Sequence, residues 1–294
     1  MMSLILKAAR QFHRFFPFAQ LRTANWILKR NPNGALIPAE LFGYEVPLHA
    51  RTNVHVLLSI EGEQFLQDSI FLDPHLGEGM TVIDVGANIG YLTLFLCNRV
   101  GARGQVFAFE PEPENFRELV RSIEHNHIEW CTPLNLAVGA SDGPASLIAG
   151  LNGYIRPDRA SEPNCRLVSL DSFAAQRAIS RIDLVKIDVE GFEAEVLLGM
   201  SKIIERHKPA IYLEVHPAGF CGSGNPQKVC SLLKRHYTNI SAYRIWADVR
   251  QHLQLWHKIR GSYGADDIIR SKCRTTLKEV MENEQYRYQL VALP

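Results

Sequence analysis

Residues 82–96 read Val-Ile-Asp-Val-Gly-Ala-Asn-Ile-Gly-Tyr-Leu-Thr-Leu-Phe-Leu, and this stretch decides the fold. A short apolar run, 82–85, meets a Gly-Ala-Asn-Ile-Gly turn, and the apolar residues then resume. The first run has the length of a buried strand. The second, "YLTLFLCNRVG", is stopped by Gly101 and Gly104 and reads as a helix. The alternation continues downstream. "QVFAFEP" is a second strand ahead of helix "PENFRELVRSIEHN", and "TPLNLAVG" is a third strand. "GPASLIAG" and "RLVSL" are polar-flanked strands, and "DSFAAQRAIS" is a helix. "IDLVKIDV" is a fourth strand before helix "EGFEAEVLLGMSKIIERH". "PAIYLEVH" is a fifth, before helix "NPQKVCSLLKRHY". Strands apolar on both faces, alternating with helices, predict a doubly wound α/β fold on a mostly parallel sheet. "NISAYRIWADV" and "YRYQLVALP" flank a polar insert at 257–272, which predicts an antiparallel finish.

Three segments follow from this pattern. Residues 1–40 are a basic helical segment. Residues 41–80 are mixed, with "YEVPLHA" and "NVHVLLSI" strand-like and "EQFLQDSIFLDPHL" helical. Residues 81–294 form the ligand-binding core. The chain has 294 residues, 46% apolar and 21% charged, enough for a full-sized core. A net charge of +1 supplies no global field for nucleic acid.

Lys7, Arg10, Arg14, Arg22, Lys29 and Arg30 fall in residues 1–30 without any acid, among Phe12, Phe15, Phe16, Phe18 and Trp26. Two readings stand: a helix packed by its apolar side with its cations in water, or peripheral contact with an anionic membrane. No apolar run reaches the roughly 18 residues of a membrane span, and "LIL" is cut short by Lys7 and Arg10. The six cysteines form no CxxC pair and read as reduced thiols. A cytoplasmic protein, with any membrane contact peripheral at the inner surface, is the expectation.

In a doubly wound sheet, ligands sit beyond the carboxyl ends of the strands, where strand order reverses. Gly86 and Gly90 are expected to let a ligand approach the backbone closely. The helix that begins there offers N–H groups to a carboxylate. Glu110, at the end of the next strand, has the position of an acid that accepts both hydroxyls of a ribose. A dinucleotide site prefers GxGxxG, and Asp84 would repel a pyrophosphate. The same acid favours an amino group or a sulfonium. S-adenosylmethionine carries both, with a carboxylate and a ribose, and fits better than NAD.

"VIDVGANIG" with "FAFEPEPENF" resembles the nucleotide-binding half of class I S-adenosylmethionine-dependent methyltransferases. "LVSLDSF", "IDLVKIDVEGFEAEVLLGM" and "PAIYLEVH" are similar to the FkbM-type branch, over roughly residues 60–216. The resemblance implies a Rossmann-like, seven-stranded sheet with an antiparallel terminal strand. It implies cofactor contacts at Asp84, Gly86, Ala87, Asn88, Gly90, Tyr91 and Glu110. Asn115, Ala137 and Val138 would lie near ribose and adenine, with Asp188 at the neighbouring strand end. It also implies O-methylation of a sugar, glycan or secondary-metabolite hydroxyl.

A second constellation gathers at 186–216. Lys186, Asp188 and Glu190 are two apart, so all three line one side if the strand continues. Glu190 and Glu193 are three apart on the next helix. Glu214 and His216 end the fifth strand. Methyl transfer to an alcohol needs alignment and removal of a proton. His216 is the residue type poised near neutral pH; Asp188, Glu190 or Glu214 could instead take the proton or orient the acceptor. These four residues also suit Mg²⁺ or Mn²⁺, although no fixed ligand spacing marks a metal site. Glu193 as a first-turn acid, Asp188 as an N-cap and Lys186 as the partner of an acid such as Asp188 are the structural alternatives. "GLNGYIRPDR" offers Tyr154, Arg156 and Arg159 to a sugar or an anion. The rival functions are an NAD(P)-dependent reductase and a non-catalytic cofactor-binding scaffold. Acceptor and oligomeric state are open at this stage.

Overall fold

A computed structural model describes residues 2–15, 20–31, 34–62, 68–148, 154–155, 163–222, 224–245, 274–283 and 287–294. The insert 257–272, Arg156 and Arg159 lie outside them. In chain order the elements are α1 (Met2–Phe15), α2 (Gln20–Lys29), β1 (Leu36–Leu41), β2 (Tyr44–His49), α3 (Asn53–Glu61), α4 (Asp68–Leu72), β3 (Thr81–Val85), α5 (Tyr91–Val100), β4 (Gln105–Phe109), α6 (Pro113–His125) and β5 (Cys131–Leu134). There follow β6 (Ala137–Val138), β7 (Gly143–Ala145), β8 (Leu147–Ile148), β9 (Tyr154–Ile155), β10 (Cys165–Val168), α7 (Leu170–Gln176), β11 (Leu184–Ile187), α8 (Glu193–Leu198), α9 (Ser201–His207), β12 (Ala210–Val215), α10 (Pro226–Lys234), β13 (Asn239–Ile245), β14 (Arg274–Thr275), α11 (Leu277–Glu282) and β15 (Arg287–Leu293).

The main sheet has the order β14-β13-β15-β12-β11-β3-β4-β5. The strands β5, β4, β3, β11 and β12 are parallel neighbours, while β15 runs antiparallel between β12 and β13. This is the Rossmann-like sheet expected, extended by the two-residue edge strand β14. Alternation along the strands divides the core. Val82, Val106 and Ala108 face a cluster that also holds Leu6, Ile27, Leu58, Phe95 and Leu119. Ile83, Val85, Phe107 and Phe109 face Leu170, Phe173, Val196, Ile203 and Val229. Residues from α1 to α4 thus share one apolar core with β3, α5 and α6.

Four local expectations change. "NVHVLLSI" forms helix α3, capped by the Thr52 side chain, which accepts from His55 N, and ended by Gly62 at φ 59. Residues 55–60 are buried on every side, so no amphipathic period marks the helix. "LIPAEL" forms β1 of a hairpin whose two turn residues, Phe42 and Gly43, have φ 52 and 82. The third strand stops at Leu134, and Ala137–Val138 pair with β10 in a separate sheet. The helix after β11 breaks into α8 and α9 at Gly199, where a Cβ would stand 1.9 Å from the Gly139 carbonyl oxygen.

The α1 and α2 helices bury Leu6, Ala9, Ala24 and Ile27 and expose Lys7, Arg22 and Lys29, and Arg30 is exposed in the turn that follows α2. Phe12 and Trp26 are also exposed, the latter beneath the Arg30 guanidinium. Among the described residues, no helix is long and apolar enough to cross a membrane.

Candidate active site

Strand order reverses at β3, with β4 and β5 on one side and β11 and β12 on the other. The loop leaving β3 therefore faces the crevice where this architecture takes ligands. Gly86 N and Ala87 N donate to the Phe109 carbonyl, which docks the loop on β4. Asn88 takes φ 53, its N–H donates to Glu110 Oε2 at 2.7 Å, and its Oδ1 accepts from Ile89 N. Gly90, at φ 92, starts α5.

The glycines do a different job from the one expected. A Cβ on Gly86 would lie 1.8 Å from the Asp188 carbonyl oxygen, and one on Gly90 would lie 2.7 Å from Leu119 Cδ1. The protein's own backbone and α6, rather than a ligand, fill the space that the glycines leave.

The structure also overturns a direct cofactor contact by Asp84. Its side chain is wholly buried beneath the loop. Oδ2 accepts from Thr93 Oγ1 at 2.7 Å, and Oδ1 lies 3.1 Å from Lys186 Nζ. Lys186 also donates to the Gly86 carbonyl at 2.7 Å. The acid is matched by a cation inside the fold, so its charge cannot discriminate between cofactors. It fixes the loop and the first turns of α5 instead. Lys186, expected to pair with an acid, pairs across the strands with Asp84.

Glu110 follows β4 and is buried. Its Oε2 accepts from Asn88 N and its Oε1 from Glu112 N, at 2.7 and 2.9 Å. Each oxygen keeps a lone pair beyond its backbone donor. Burial pushes the carboxyl up to about 7, against the hydrogen bonds from Glu112 and Asn88. Asn115 is buried in the first turn of α6, its N–H bound by the Glu112 side chain that caps the helix. Tyr91 opens α5 and is half-buried. Ala137 is buried against Phe192, Ala145 and Leu147, so any adenine contact there falls to its backbone. The acid at Glu110, the glycine loop and the start of α5 meet at one edge. That donor set fits a ligand with ribose hydroxyls and a carboxylate.

The second constellation meets beside it, at the ends of β11 and β12. Asp188 N donates to the Val85 carbonyl, which binds this edge to β3. The three residues 186, 188 and 190 do not share one side, because β11 ends at Ile187 and Glu190 turns at φ 53. Nor is Glu190 on the helix: α8 begins at Glu193, and no side chain caps it. Glu190 and Glu193 instead close on His216 from two sides. Glu193 Oε1 lies 2.6 Å from Nδ1 and accepts from Gly191 N as well, and Glu190 Oε2 lies 3.1 Å from Nε2. Glu214 Oε1 stands 3.6 Å from Nε2 and accepts from Arg287 Nη1 at 3.0 Å. Phe220 stacks on the ring.

His216 is not poised near neutrality. Burial lowers its pKa, but the carboxylates of Glu190, Glu193 and Asp188 outweigh it and push the value up to about 11. With those carboxylates ionised the ring is an imidazolium, which has no lone pair for a proton. The neutral-pH base expected at His216 is thus corrected: the ring is enclosed by acids.

Thr93, Glu112, Asn135 and Arg287 were not expected at the site. Asn135 Nδ2 holds the Glu110 carbonyl at 2.8 Å. Thr93 sits three residues after Gly90, a spacing that returns a helix to the same face. Arg287 arrives through the antiparallel pairing of β15 with β12, which no local pattern signals.

A buried acid after β4 and a cluster of carboxylates around His216 thus share one edge of the sheet. The chain belongs to the family of FkbM-domain methyltransferases, whose model matches residues 84–240. It is an S-adenosylmethionine-dependent methyltransferase. The hexuronic acid methyltransferase AglP of Haloferax volcanii is 30% identical over 220 residues, covering 72% of this chain and 86% of AglP. The 31-O-demethyl-FK506 methyltransferase FkbM of Streptomyces tacrolimicus is 29% identical, covering 59% of this chain and 80% of that protein. AMB antimetabolite synthetase AmbE of Pseudomonas aeruginosa is 28% identical over 225 residues, but this chain spans only 10% of it.

Proposed function

We propose that this chain methylates a hydroxyl oxygen of a sugar, glycan or secondary-metabolite acceptor. One observation carries the reading: Asp188, Glu190 and Glu214 converge at the ends of β11 and β12, against the loop that follows β3. When bound, S-adenosylmethionine supplies a methyl group already activated on sulfur. Glu110 would accept the ribose hydroxyls, and the first turn of α5 would offer its N–H groups to the carboxylate. The carboxylate cluster orients the acceptor hydroxyl and takes its proton. The proton that the acceptor oxygen gives up passes through a carboxylate to solvent. The name of FkbM, a 31-O-demethyl-FK506 methyltransferase, supports an oxygen acceptor, and that of AglP, a hexuronic acid methyltransferase, supports a sugar.

The test is a screen with a labelled methyl donor over sugars, glycans and small alcohols. Methyl transfer to oxygen is expected. Glu190→Gln should lower kcat by roughly 10²-fold or more, with S-adenosylhomocysteine affinity within about threefold of wild type. Transfer to nitrogen or sulfur, or cofactor binding with no turnover on any acceptor, would overturn the reading.

Glu110 gives a second test. Its ionised form accepts ribose hydroxyls, so S-adenosylhomocysteine affinity should fall as pH drops through about 7. Glu110→Ala should weaken binding at pH 8 by roughly 10- to 100-fold, the scale of hydrogen bonds to a charged group. The stability of the free protein has the opposite sign. A carboxyl raised by folding favours the protonated native state, so its contribution declines as pH rises from the ordinary carboxylate range through about 7. Calorimetry between pH 5.5 and 8.5 checks both; a flat affinity profile would remove Glu110 from the ribose.

A further inference from the structure

We infer that Asp188, Glu214 and His216 form a site for a first-row divalent cation, Mn²⁺ or Zn²⁺ in preference to Mg²⁺, that holds the acceptor hydroxyl. The role in acceptor binding rests on the oxygen-methylation reading; the binding of the ion does not.

Three observations carry it. Each residue offers one ligand atom, and the three atoms lie within 4.8 Å of one another. Donors bound at about 2.1 Å to one ion stand roughly 3–4.2 Å apart, so little side-chain movement closes the set. His216 is wholly buried at the floor of the cluster. Its Nε2 makes no well-directed hydrogen bond, although Glu190 Oε2 and Glu214 Oε1 stand 3.1 and 3.6 Å away. The opposite ring nitrogen, Nδ1, lies 2.6 Å from Glu193 Oε1. That carboxylate is itself buried and also fixed by Gly191 N. With Glu193 holding Nδ1–H, an ion at Nε2 displaces the proton that the surrounding carboxylates otherwise keep there, and the ring then binds it as neutral imidazole.

The surroundings fit an ion that meets a substrate. The Glu190 and Glu214 side chains keep 15% and 12% of their exposure, so the cluster opens outward on its carboxylate side. Arg287 holds Glu214 in place from the adjacent strand β15. The nitrogen donor is what selects the metal: imidazole suits first-row transition ions, whereas Mg²⁺ takes oxygen ligands and keeps its waters. An ion here would lower the pKa of a coordinated hydroxyl and fix its oxygen at the edge beside the Gly86 loop.

The experiment uses the full chain, stripped with EDTA, and follows Mn²⁺ by the loss of the free-ion electron paramagnetic resonance signal. One Mn²⁺ per chain is expected, displaced by Zn²⁺. Asp188→Asn and Glu214→Gln should each weaken uptake at least tenfold. Glu193→Gln should do so by roughly 10- to 100-fold, as for partners of metal-bound histidines. Glu195→Gln, whose carboxylate pairs with Lys228 on α10, should leave it unchanged. Should the variants not fold, Mn²⁺ should broaden the ring resonances of His216 selectively among the eleven histidines of the unaltered chain. Absence of uptake at millimolar Mn²⁺ and Zn²⁺, unchanged uptake by Asp188→Asn, or uptake without broadening at His216 would overturn the site. S-adenosylhomocysteine binding to the stripped protein, measured in parallel, separates this failure from failure of the methyltransferase reading.

Discussion

Gly86→Ala is expected to abolish cofactor binding and to destabilise the fold by about 4 kcal/mol or more, the range of severe backbone and packing defects. The new methyl carbon would stand 1.8 Å from the Asp188 carbonyl oxygen and 2.9 Å from its carbon. Neither atom is the end of a flexible side chain. Asp188 N is bonded to Val85 O, so withdrawal would tear the junction of β3 and β11. The dihedral adds a smaller term, since φ is 79. Gly43→Ala isolates that term: Gly43 has φ 82 but nothing within 4 Å of its Cβ position. It should cost about 1–2 kcal/mol, the ordinary penalty of a left-handed L-residue. Urea denaturation of both variants checks the comparison. Equal losses would mean that the close approach to Asp188 has no energetic weight.

Lys186→Met is expected to cost roughly 3–5 kcal/mol, the effect of leaving one member of a buried ion pair alone. Asp84 is wholly buried and Lys186 nearly so, with Nζ 3.1 Å from Oδ1. Methionine keeps the apolar stem but supplies no cation to Asp84 and no donor to the Gly86 carbonyl. Adding Asp84→Asn should recover much of the loss, because the orphaned charge disappears. A double-mutant cycle by chemical denaturation measures the coupling. A loss below about 1 kcal/mol in Lys186→Met would show that Asp84 is neutralised by other means.

Both predictions fall on residues whose importance was visible from the sequence but whose role was not. Gly86 and Asp84 stand out because they interrupt an apolar run at the turn between β3 and α5. Why each residue is needed depends on groups about a hundred positions away. Lys186 and the Asp188 carbonyl reach the loop only because β11 lies beside β3, with Lys186 opposite Asp84 and Ile187 opposite Val85. Glu110 was legible for the opposite reason. It is one strand–turn–helix unit away, and the parallel order of adjacent strands carries that unit to the same edge.

The local pattern also misled where burial was complete. α3 is buried along residues 55–60 and lost the periodicity that identifies a helix. Spacing two apart placed Lys186, Asp188 and Glu190 on one side, but the strand ends at Ile187 and each side chain finds a different environment.

The sequence by itself determined the alternation of strands and helices, the position of the glycine loop, the acid after the second strand and the family. These follow from composition over a few residues, where local geometry dominates. Only the tertiary structure decided that Asp84 is an internal counter-charge, that Gly86 makes room for the Asp188 carbonyl, and that His216 is enclosed by acids. The strength of a charge or a base is set by what surrounds it and by how far water is excluded. Those surroundings are assembled from strands and loops distant along the chain.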